Sequence, residues 1–294
     1  MSYLTRVAGA PISWGVCEVP GWGYQMSPDR VLAEMRQVGI AATEFGPDGF
    51  LPTAAQERAD LLKSHDLVPV GGFVPAVLHV DGRDPVAELA PTFATFADVG
   101  SRTVVLAADS GRVGYDDRSE LDDAAWRRLC ANLDALVAAA ADHGLTVSLH
   151  PHVGTVVESA TDVRRVLDGS DVPLCLDTGH LMIGGTDPAE LARAVPDRVA
   201  HVHLKDVDAA RAEKVASGAA TYTAMVADGI YRPLGQGDVD VAGIVGALEG
   251  AGYRGWYVME QDTVLDAEPA AGAGPVADVG ASIDFLRGLG AADD

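Results

Sequence analysis

Short apolar runs alternate with segments of helical periodicity along almost the whole chain, and this alternation restricts the folds available to it. The run that begins at Thr103 is continuously apolar, as expected of a parallel strand buried on both faces. Val31, Met35 and Val38 instead recur at helical spacing after the N-cap residue Ser27. The pattern predicts eight strands, at residues 7–13, 41–45, 67–73, 102–107, 145–150, 172–176, 199–204 and 255–260. It also predicts eight helices, at residues 28–38, 54–65, 85–99, 122–143, 160–167, 188–194, 241–251 and 276–289.

Eight strand–helix units can close into a barrel or form an open, doubly wound sheet. An open sheet often carries a glycine-rich phosphate loop after its first strand, and no such motif occurs in this sequence. The length of 294 residues fits one barrel of about 250 residues with insertions. We therefore predict a single α/β domain over residues 1–294, a (β/α)8 TIM barrel. The connection 207–237 is much longer than a usual βα loop and is a candidate lid.

The charge of the chain limits its partners. A formal net charge of −22 speaks against nucleic acid and anionic membranes, because both would repel the protein. Three cysteines without a CxxC motif predict reduced core thiols rather than disulfides. Neither a signal peptide nor an apolar stretch of membrane-spanning length is present. We expect a cytoplasmic protein whose partner is a small polyhydroxylated molecule.

Groups that bind divalent metals follow four successive predicted strands in the second half of the chain. Asp177, His203 and Glu260 each end one strand, and His150 or His152 ends another. Because the carboxyl ends of parallel strands meet at one mouth of a barrel, we expect these side chains to converge on one cation. Imidazole and carboxylate ligands suit Mn²⁺, Co²⁺, Fe²⁺, Zn²⁺ or Mg²⁺. His201 lies deeper in its strand and is expected to support the site or to pack in the core.

Other polar residues near the strand ends are candidates for catalysis or substrate binding. Glu158, His180 and Lys205 are positioned to move protons, and Lys205 is also a candidate for stabilising an enolate oxygen. Trp14 is a candidate wall beneath a sugar ring, and Glu44 a candidate partner for its hydroxyls. The candidate substrate contacts therefore comprise Trp14, Glu44 and, in the long connection, Arg232. No cluster of positive residues is evident, which disfavours a phosphorylated substrate.

The chain resembles the xylose-isomerase-like family of sugar isomerases and epimerases, and within it the inosose dehydratases. The resemblance covers most of the sequence and is carried by the following segments: Ala10-Pro-Ile-Ser-Trp-Gly, Ala42-Thr-Glu-Phe-Gly, His150-Pro-His-Val-Gly-Thr, Asp177-Thr-Gly-His-Leu, His201-Val-His-Leu-Lys-Asp-Val, Pro233-Leu-Gly-Gln-Gly-Asp-Val-Asp and Glu260-Gln-Asp. It implies a (β/α)8 barrel with a divalent metal, Mn²⁺ or Co²⁺ above all. The implied ligands are His150 (or His152), Asp177, His203 and Glu260, with histidine replacing the family's glutamate on strand five.

The activity that the resemblance implies is dehydration of a keto-cyclitol such as 2-keto-myo-inositol (scyllo-inosose) through an enolate. The alternatives are a metal-dependent sugar isomerase or epimerase and a lyase acting on 3-keto-glycosides. Family epimerases use two carboxylates as bases, and only Glu260 of that pair occupies its usual place unless Glu158 substitutes. A barrel that binds sugar without catalysis is the alternative from another class. The resemblance further implies a homodimer or homotetramer.

Overall fold

The computed structural model describes residues 2–117 and 120–291, which form a closed barrel of eight parallel strands surrounded by helices. The barrel strands follow one another around the ring in chain order, and Val7–Gly9 pairs with both Ala42–Glu44 and Tyr257–Met259 to close it. The strands are β1 Val7–Gly9, β2 Ala42–Glu44, β3 Val68–Ala76, β4 Thr103–Ala108, β5 Thr146–Leu149, β6 Leu174–Asp177, β7 Val199–Leu204, β8 Asp206–Val207, β9 Tyr231–Arg232 and β10 Tyr257–Met259. The helices are α1 Pro28–Gln37, α2 Ala55–Ser64, α3 Pro85–Val99, α4 Asp123–Ala141, α5 Ala160–Gly169, α6 Thr178–Ile183, α7 Pro188–Ala194, α8 Ala209–Ala216, α9 Tyr222–Ala227, α10 Val241–Gly250 and α11 Pro275–Ala291. The predicted single (β/α)8 barrel is confirmed.

Local sequence explains where the main helices begin and which face they bury. Asp122 caps α4 by accepting a hydrogen bond from the Ala125 amide, and the helix then buries an apolar stripe against the barrel. Ser159 and Asp162 form a capping box at the start of α5. Strand β4 is buried along its whole length, as its continuous apolar run predicts.

Several features differ from the predictions. The first strand ends at Gly9 rather than continuing to residue 13, because Pro11 begins a 3-10 helix that runs to Trp14. Strand β3 continues to Ala76, three residues beyond its predicted end. Helix α6 was not predicted: it starts directly after β6, without an intervening loop, and Asp177 caps it.

The connection 207–237 is folded rather than an open loop. It contains helices α8 and α9, and its two ends pair as the antiparallel strands β8 and β9. Tyr222 and Val226 on α9 and Ile230 before β9 are buried in an apolar cluster beside the barrel. The segment is therefore anchored by a core of its own, and its role as a lid stays a prediction.

The largest apolar cluster lies between the strands and the surrounding helices and includes Leu32, Phe93, Leu129, Leu176 and Ile244. Cys17, Cys130 and Cys175 are free thiols. Within residues 2–117 and 120–291, no helix has the length and apolar character needed to span a bilayer.

Candidate active site

The carboxyl ends of the barrel strands surround a cavity of about 630 Å³, measured to its open mouth. That volume includes solvent space at the mouth, and a concavity at this end of a barrel is the usual place for a small-molecule ligand. The predicted site residues that line it are Glu44, His150, His152, His203, Lys205 and Glu260. Aromatic side chains form much of the remaining wall, among them Trp22, Phe73, Tyr115 and Tyr222. The cavity thus combines an apolar wall with a compact polar floor.

Three buried groups from neighbouring strands converge in this floor. His203 Nδ1 lies 3.1 Å from Glu260 Oε2 and 3.5 Å from Asp177 Oδ2. One ligand atom from each of the three residues lies within 4.8 Å of the others. Within the described chain, His203 Nδ1 has no hydrogen-bond partner, although two carboxylates are close to it. An imidazole nitrogen and two carboxylate oxygens around one point are a donor set suited to a divalent cation.

Glu44 lies behind His203 and orients its ring. Its Oε1 atom is 3.0 Å from His203 Nε2 and 2.8 Å from His201 Nε2. Burial lowers the pKa of His203, but Cys175, Glu260 and Glu44 outweigh burial and raise that pKa well above its ordinary value. A divalent cation would take the place of the Nδ1 proton, while Nε2 would still donate to Glu44. Glu44 was predicted to bind substrate hydroxyls; it does line the cavity, but its Oε1 atom contacts two imidazoles. His201 contacts Glu44 in the interior, in agreement with a supporting role.

The two oxygens of Asp177 have different partners. Oδ1 accepts hydrogen bonds from the backbone amides of Gly179 and His180 and so caps helix α6. Oδ2 lies 3.1 Å from His150 Nε2. Among the described residues, His150 shares potential metal-binding groups with Asp177 and with His203, whereas His152 belongs to none of them. The geometry therefore favours His150 over His152 as the fourth ligand.

Lys205 is surrounded by acidic groups. Its Nζ atom lies 2.8 Å from Asp262 Oδ1 and 3.1 Å from Glu260 Oε2. It also lies 3.3 Å from Asp177 Oδ2 and 3.0 Å from His180 Nε2. Burial lowers the pKa of Lys205, but Asp177, Asp262 and Glu260 outweigh burial and raise that pKa well above its ordinary value. Lys205 is consequently an ammonium ion, which argues against the predicted role as a base and agrees with electrostatic stabilisation.

His152 and His180 are neutral in this environment. Burial is the largest cause that lowers the pKa of each well below its ordinary value, and neighbouring imidazoles and Lys205 lower it further. Nδ1 of His152 lies 2.7 Å from the Val153 carbonyl oxygen, to which it donates. Nε2 of His152 is then unprotonated, and His152 is one of the residues that line the cavity. His152 has the protonation state and the position that a base requires.

Negative charge exceeds positive charge in the floor. Burial raises the pKa values of Asp177 and Glu260, but the charges of Lys205 and nearby histidines outweigh burial and lower them. The pKa of Glu44 is lowered as well, through His203 and His201 and against the effect of burial. Among the described lining residues, Lys205 is the only lysine or arginine. Because buried charges need compensation, this carboxylate-rich floor fits a divalent cation.

Three predicted residues lie outside this constellation. Trp14 is fully buried, and its indole donates to Glu34 at 2.8 Å, so it does not form the predicted wall; the structure gives that place to Trp22. Glu158 accepts from the Gly154 amide and does not line the cavity. Arg232 pairs with Asp208, away from the lining. His180 and Asp177 lie just behind the lining, in contact with Lys205.

The cavity also contains residues that were not selected from the sequence. Asp262 ends the recognised Glu260-Gln-Asp segment and contacts Lys205, so its place after a strand end was an available signal. Tyr222 comes from the inserted helix α9 and Tyr115 from the connection after β4. Nothing in the local sequence pattern of these tyrosines relates them to the strand ends, because only the path of their connections brings them to the cavity.

A closed parallel barrel with a polar, carboxylate-rich floor at the carboxyl ends of its strands defines a class of small-molecule barrel proteins. Within that class, residues 32–289 match the model of the xylose isomerase-like TIM barrel family, and the chain belongs to this family. An inosose dehydratase of Geobacillus kaustophilus is 32% identical in an alignment of 272 positions that covers 87% of this chain and 87% of the dehydratase. The rhizopine catabolism protein MocC of Rhizobium meliloti is also 32% identical, over 268 residues that cover 87% of this chain and 81% of that protein.

Solved structures with lower sequence identity have the same fold. An L-ribulose 3-epimerase superposes with a TM-score of 0.68 at 20% identity, covering 98% of this chain and 95% of the epimerase. At this identity the likeness concerns the fold. The barrel is thus common to proteins whose names denote dehydration and epimerisation, and the reaction has to be inferred from the cavity and the closer relatives.

Proposed function

We propose that this protein is a metal-dependent hydro-lyase that removes water from a keto-cyclitol such as 2-keto-myo-inositol (scyllo-inosose). The observation that carries the proposal is the converging group of Asp177, His203 and Glu260 in a chain that is 32% identical, over most of its length, to an inosose dehydratase. The aromatic walls of the cavity suit the apolar faces of a six-membered polyol ring. Its acidic floor disfavours phosphorylated substrates.

The residues suited to hold the metal are Asp177, His203, Glu260 and His150. A divalent cation bound there, with Mn²⁺ or Co²⁺ preferred in this proposal, supplies Lewis-acid polarisation of a ketone oxygen. Lys205 places an ammonium ion beside the same floor and stabilises negative charge that develops on substrate oxygen. The buried carboxylates hold Lys205 in its charged form.

His152 is the base in this proposal. Its Nε2 atom takes the proton from the carbon next to the ketone, and the electrons of the broken C–H bond form the enolate. The enolate then expels the hydroxyl group from the adjacent carbon, forming a C=C bond. The His152 imidazolium protonates the departing hydroxyl, so that water leaves and His152 returns to its neutral form. Glu158 is not required, because it lies outside the cavity lining.

The test is an assay of the purified protein with 2-keto-myo-inositol, with Mn²⁺ or Co²⁺ and then with excess EDTA. We expect a product that lacks one water and absorbs in the ultraviolet as an unsaturated ketone, formed only with metal. An epimerase would leave the mass unchanged and exchange the α-proton with deuterated solvent. A sugar-binding barrel would give neither signal.

The matched variants are His152→Gln in the cavity and His79→Gln outside its lining. We expect His152→Gln to lower kcat by about 10²- to 10⁴-fold, the usual contribution of a positioned base. Its metal content, measured by elemental analysis, should stay that of the wild type. Full activity in His152→Gln would assign the base elsewhere, and isomerised substrate without water loss would overturn the lyase.

A further inference from the structure

The segment between β8 and β9 is joined to the cavity by a chain of hydrogen bonds. Strand β8 follows Lys205 directly, and its partner β9 carries Tyr231. The Tyr231 and Tyr222 hydroxyls lie 3.0 Å apart, and Tyr222 donates to Asp262 Oδ2 at 2.8 Å. Asp262 Oδ1 lies 2.8 Å from Lys205 Nζ. The inserted segment therefore contacts a carboxylate of the cavity wall, that of Asp262, through Tyr222.

Tyr222 and Tyr231, the two tyrosines in this series of hydrogen bonds, are fixed donors. Burial and the charge of Asp262 raise the pKa of the Tyr222 and Tyr231 hydroxyls well above their ordinary value, so both remain protonated. Tyr222 is 2% exposed and Tyr231 3% exposed. A buried hydroxyl that donates to a carboxylate restricts the rotation of that carboxylate. With Lys205 on Oδ1 and Tyr222 on Oδ2, Asp262 is held from both sides.

Tyr231 and Lys205 pack closely against the backbone of helix α6 at Gly179. A Cβ atom at Gly179 would lie 2.8 Å from the Tyr231 ring and 2.8 Å from Lys205 Cβ. Glycine at the start of α6 therefore lets Tyr231 and Lys205 pack against the helix that Asp177 caps. The Lys205 ammonium also lies 5.3 Å from the centre of the Tyr231 ring, within range of a cation–π interaction.

We propose that Asp262 is a substrate-binding carboxylate that accepts a hydrogen bond from a ring hydroxyl, and that the inserted segment holds it in place through Tyr222 and Tyr231. The inference rests on the proposed function, since the ligand is the polyhydroxylated ring of that substrate. Each carboxylate oxygen has two lone-pair directions. Asp262 Oδ2 accepts from Tyr222, and Oδ1 forms an ion pair with Lys205 but has no hydrogen-bond partner among the described residues, so Asp262 retains capacity for a hydroxyl. Asp262 lines the cavity and belongs to none of the potential metal-binding groups of the described residues. It is thus a contact for the substrate, and Tyr222 and Tyr231 are positioning residues.

The experiment compares Asp262→Asn, Tyr222→Phe and Tyr231→Phe with the control Tyr253→Phe. Tyr253 is also buried and donates its hydroxyl to the Trp256 carbonyl at 2.8 Å, but it does not line the cavity. We expect KM for 2-keto-myo-inositol to rise about tenfold in Asp262→Asn and several-fold in the two positioning variants, the range that loss of a hydrogen bond to a charged group produces. Tyr253→Phe should leave KM unchanged, and all four variants should keep the wild-type metal content.

A second readout separates this inference from the proposed function. Titration calorimetry with myo-inositol, which lacks the ketone, measures binding without turnover. If the wild type binds myo-inositol and Asp262→Asn binds it about tenfold more weakly, the subsite is supported even when no dehydration occurs. If the wild type turns over the ketone while Asp262→Asn and Tyr222→Phe keep wild-type KM and affinity, the inference is overturned and the lyase stands. Failure of the wild type to bind either polyol overturns the inference as well.

Discussion

Asp177 lies just behind the cavity lining, with one carboxylate oxygen near His150 and the other accepting from the backbone of α6. We predict that Asp177→Asn lowers activity and metal affinity by more than about 100-fold. Loss of a residue that only hydrogen-bonds a metal ligand costs about 10- to 100-fold, and loss of a ligand should cost more. Asparagine retains an oxygen for the cap but loses the charge that faces His150 and His203. The measurements are metal content after dialysis and kcat on the keto-cyclitol.

Asp187 offers a matched control for this prediction. Its Oδ1 atom caps α7 by accepting from the Ala189 and Glu190 amides, as Asp177 caps α6, but at a surface outside the cavity. Asp187→Asn should keep activity and metal content. Equal losses in both variants would show that Asp177 acts through the helix cap and not through the polar floor.

The Oε1 atom of Glu44 lies 3.0 Å from Nε2 of the His203 ring. We predict that Glu44→Gln weakens metal affinity about 10- to 100-fold, the range typical of a partner that orients a histidine ligand. The measurement is activity as a function of the free Mn²⁺ concentration. We expect the Mn²⁺ concentration at half-maximal activity to change more than kcat at saturating Mn²⁺. Glu34→Gln is the control, because Glu34 is also a buried carboxylate but accepts from the Trp14 indole. An unchanged metal midpoint in Glu44→Gln would count against the orienting role.

At the scale of elements, helix α6 must lie very close to the end of β7. We predict that Gly179→Ala destabilises the protein by about 1–3 kcal/mol, because the added methyl group overlaps with Lys205 and Tyr231. Gly246→Ala in α10 is the control: its Cβ meets no atom within 4 Å, and the substitution should stabilise the helix by about 0.5–1 kcal/mol. Urea denaturation midpoints measure both. We expect the two substitutions to change the free energy of unfolding in opposite directions. Stabilisation by Gly179→Ala would contradict the close packing.

The elements that sequence patterns predicted well are those with local signals at both ends. Pro85–Val99 and Pro188–Ala194 match their predicted bounds, since each begins with proline after a capping aspartate. Helices α8 and α9 are short and were missed, because they depend on burial of side chains such as Tyr222 rather than on long periodicity. Short helices of this kind cannot be separated from loops until the surface that covers them is known.

The same distinction applies to the cavity. His203 and Glu260 were predictable neighbours, because carboxyl ends of parallel strands always meet at one mouth of a barrel. Trp14 and Trp22 occupy the same connection, and the sequence cannot choose between them. The choice follows from the 3-10 helix and the left-handed turn at Gly15, which leave Trp14 in the core. Contacts between different connections, such as that of Tyr222 with Asp262, require the folded chain.

At the scale of the whole molecule, negative charges greatly outnumber positive charges. The chain contains 43 acidic and 21 basic residues, and its isoelectric point is about 4.5. Most acidic side chains are on the surface, where their mutual repulsion opposes the compact state at neutral pH. Salt screens such repulsion, since the Debye length falls from about 30 Å at 0.01 M to about 8 Å at 0.15 M.

We therefore predict that raising NaCl from low to physiological concentration at pH 7.5 increases Tm by about 2 °C or more, the shift that about 1 kcal/mol produces in a large domain. At pH 5, closer to the isoelectric point, the net charge is smaller and the same salt step should raise Tm less. Differential scanning calorimetry at both pH values, with the same Mn²⁺ concentration in every sample, gives the comparison. Because screening weakens attractive surface pairs such as Arg83–Glu88 as well, a fall in Tm at pH 7.5 would mean that these pairs outweigh the overall repulsion.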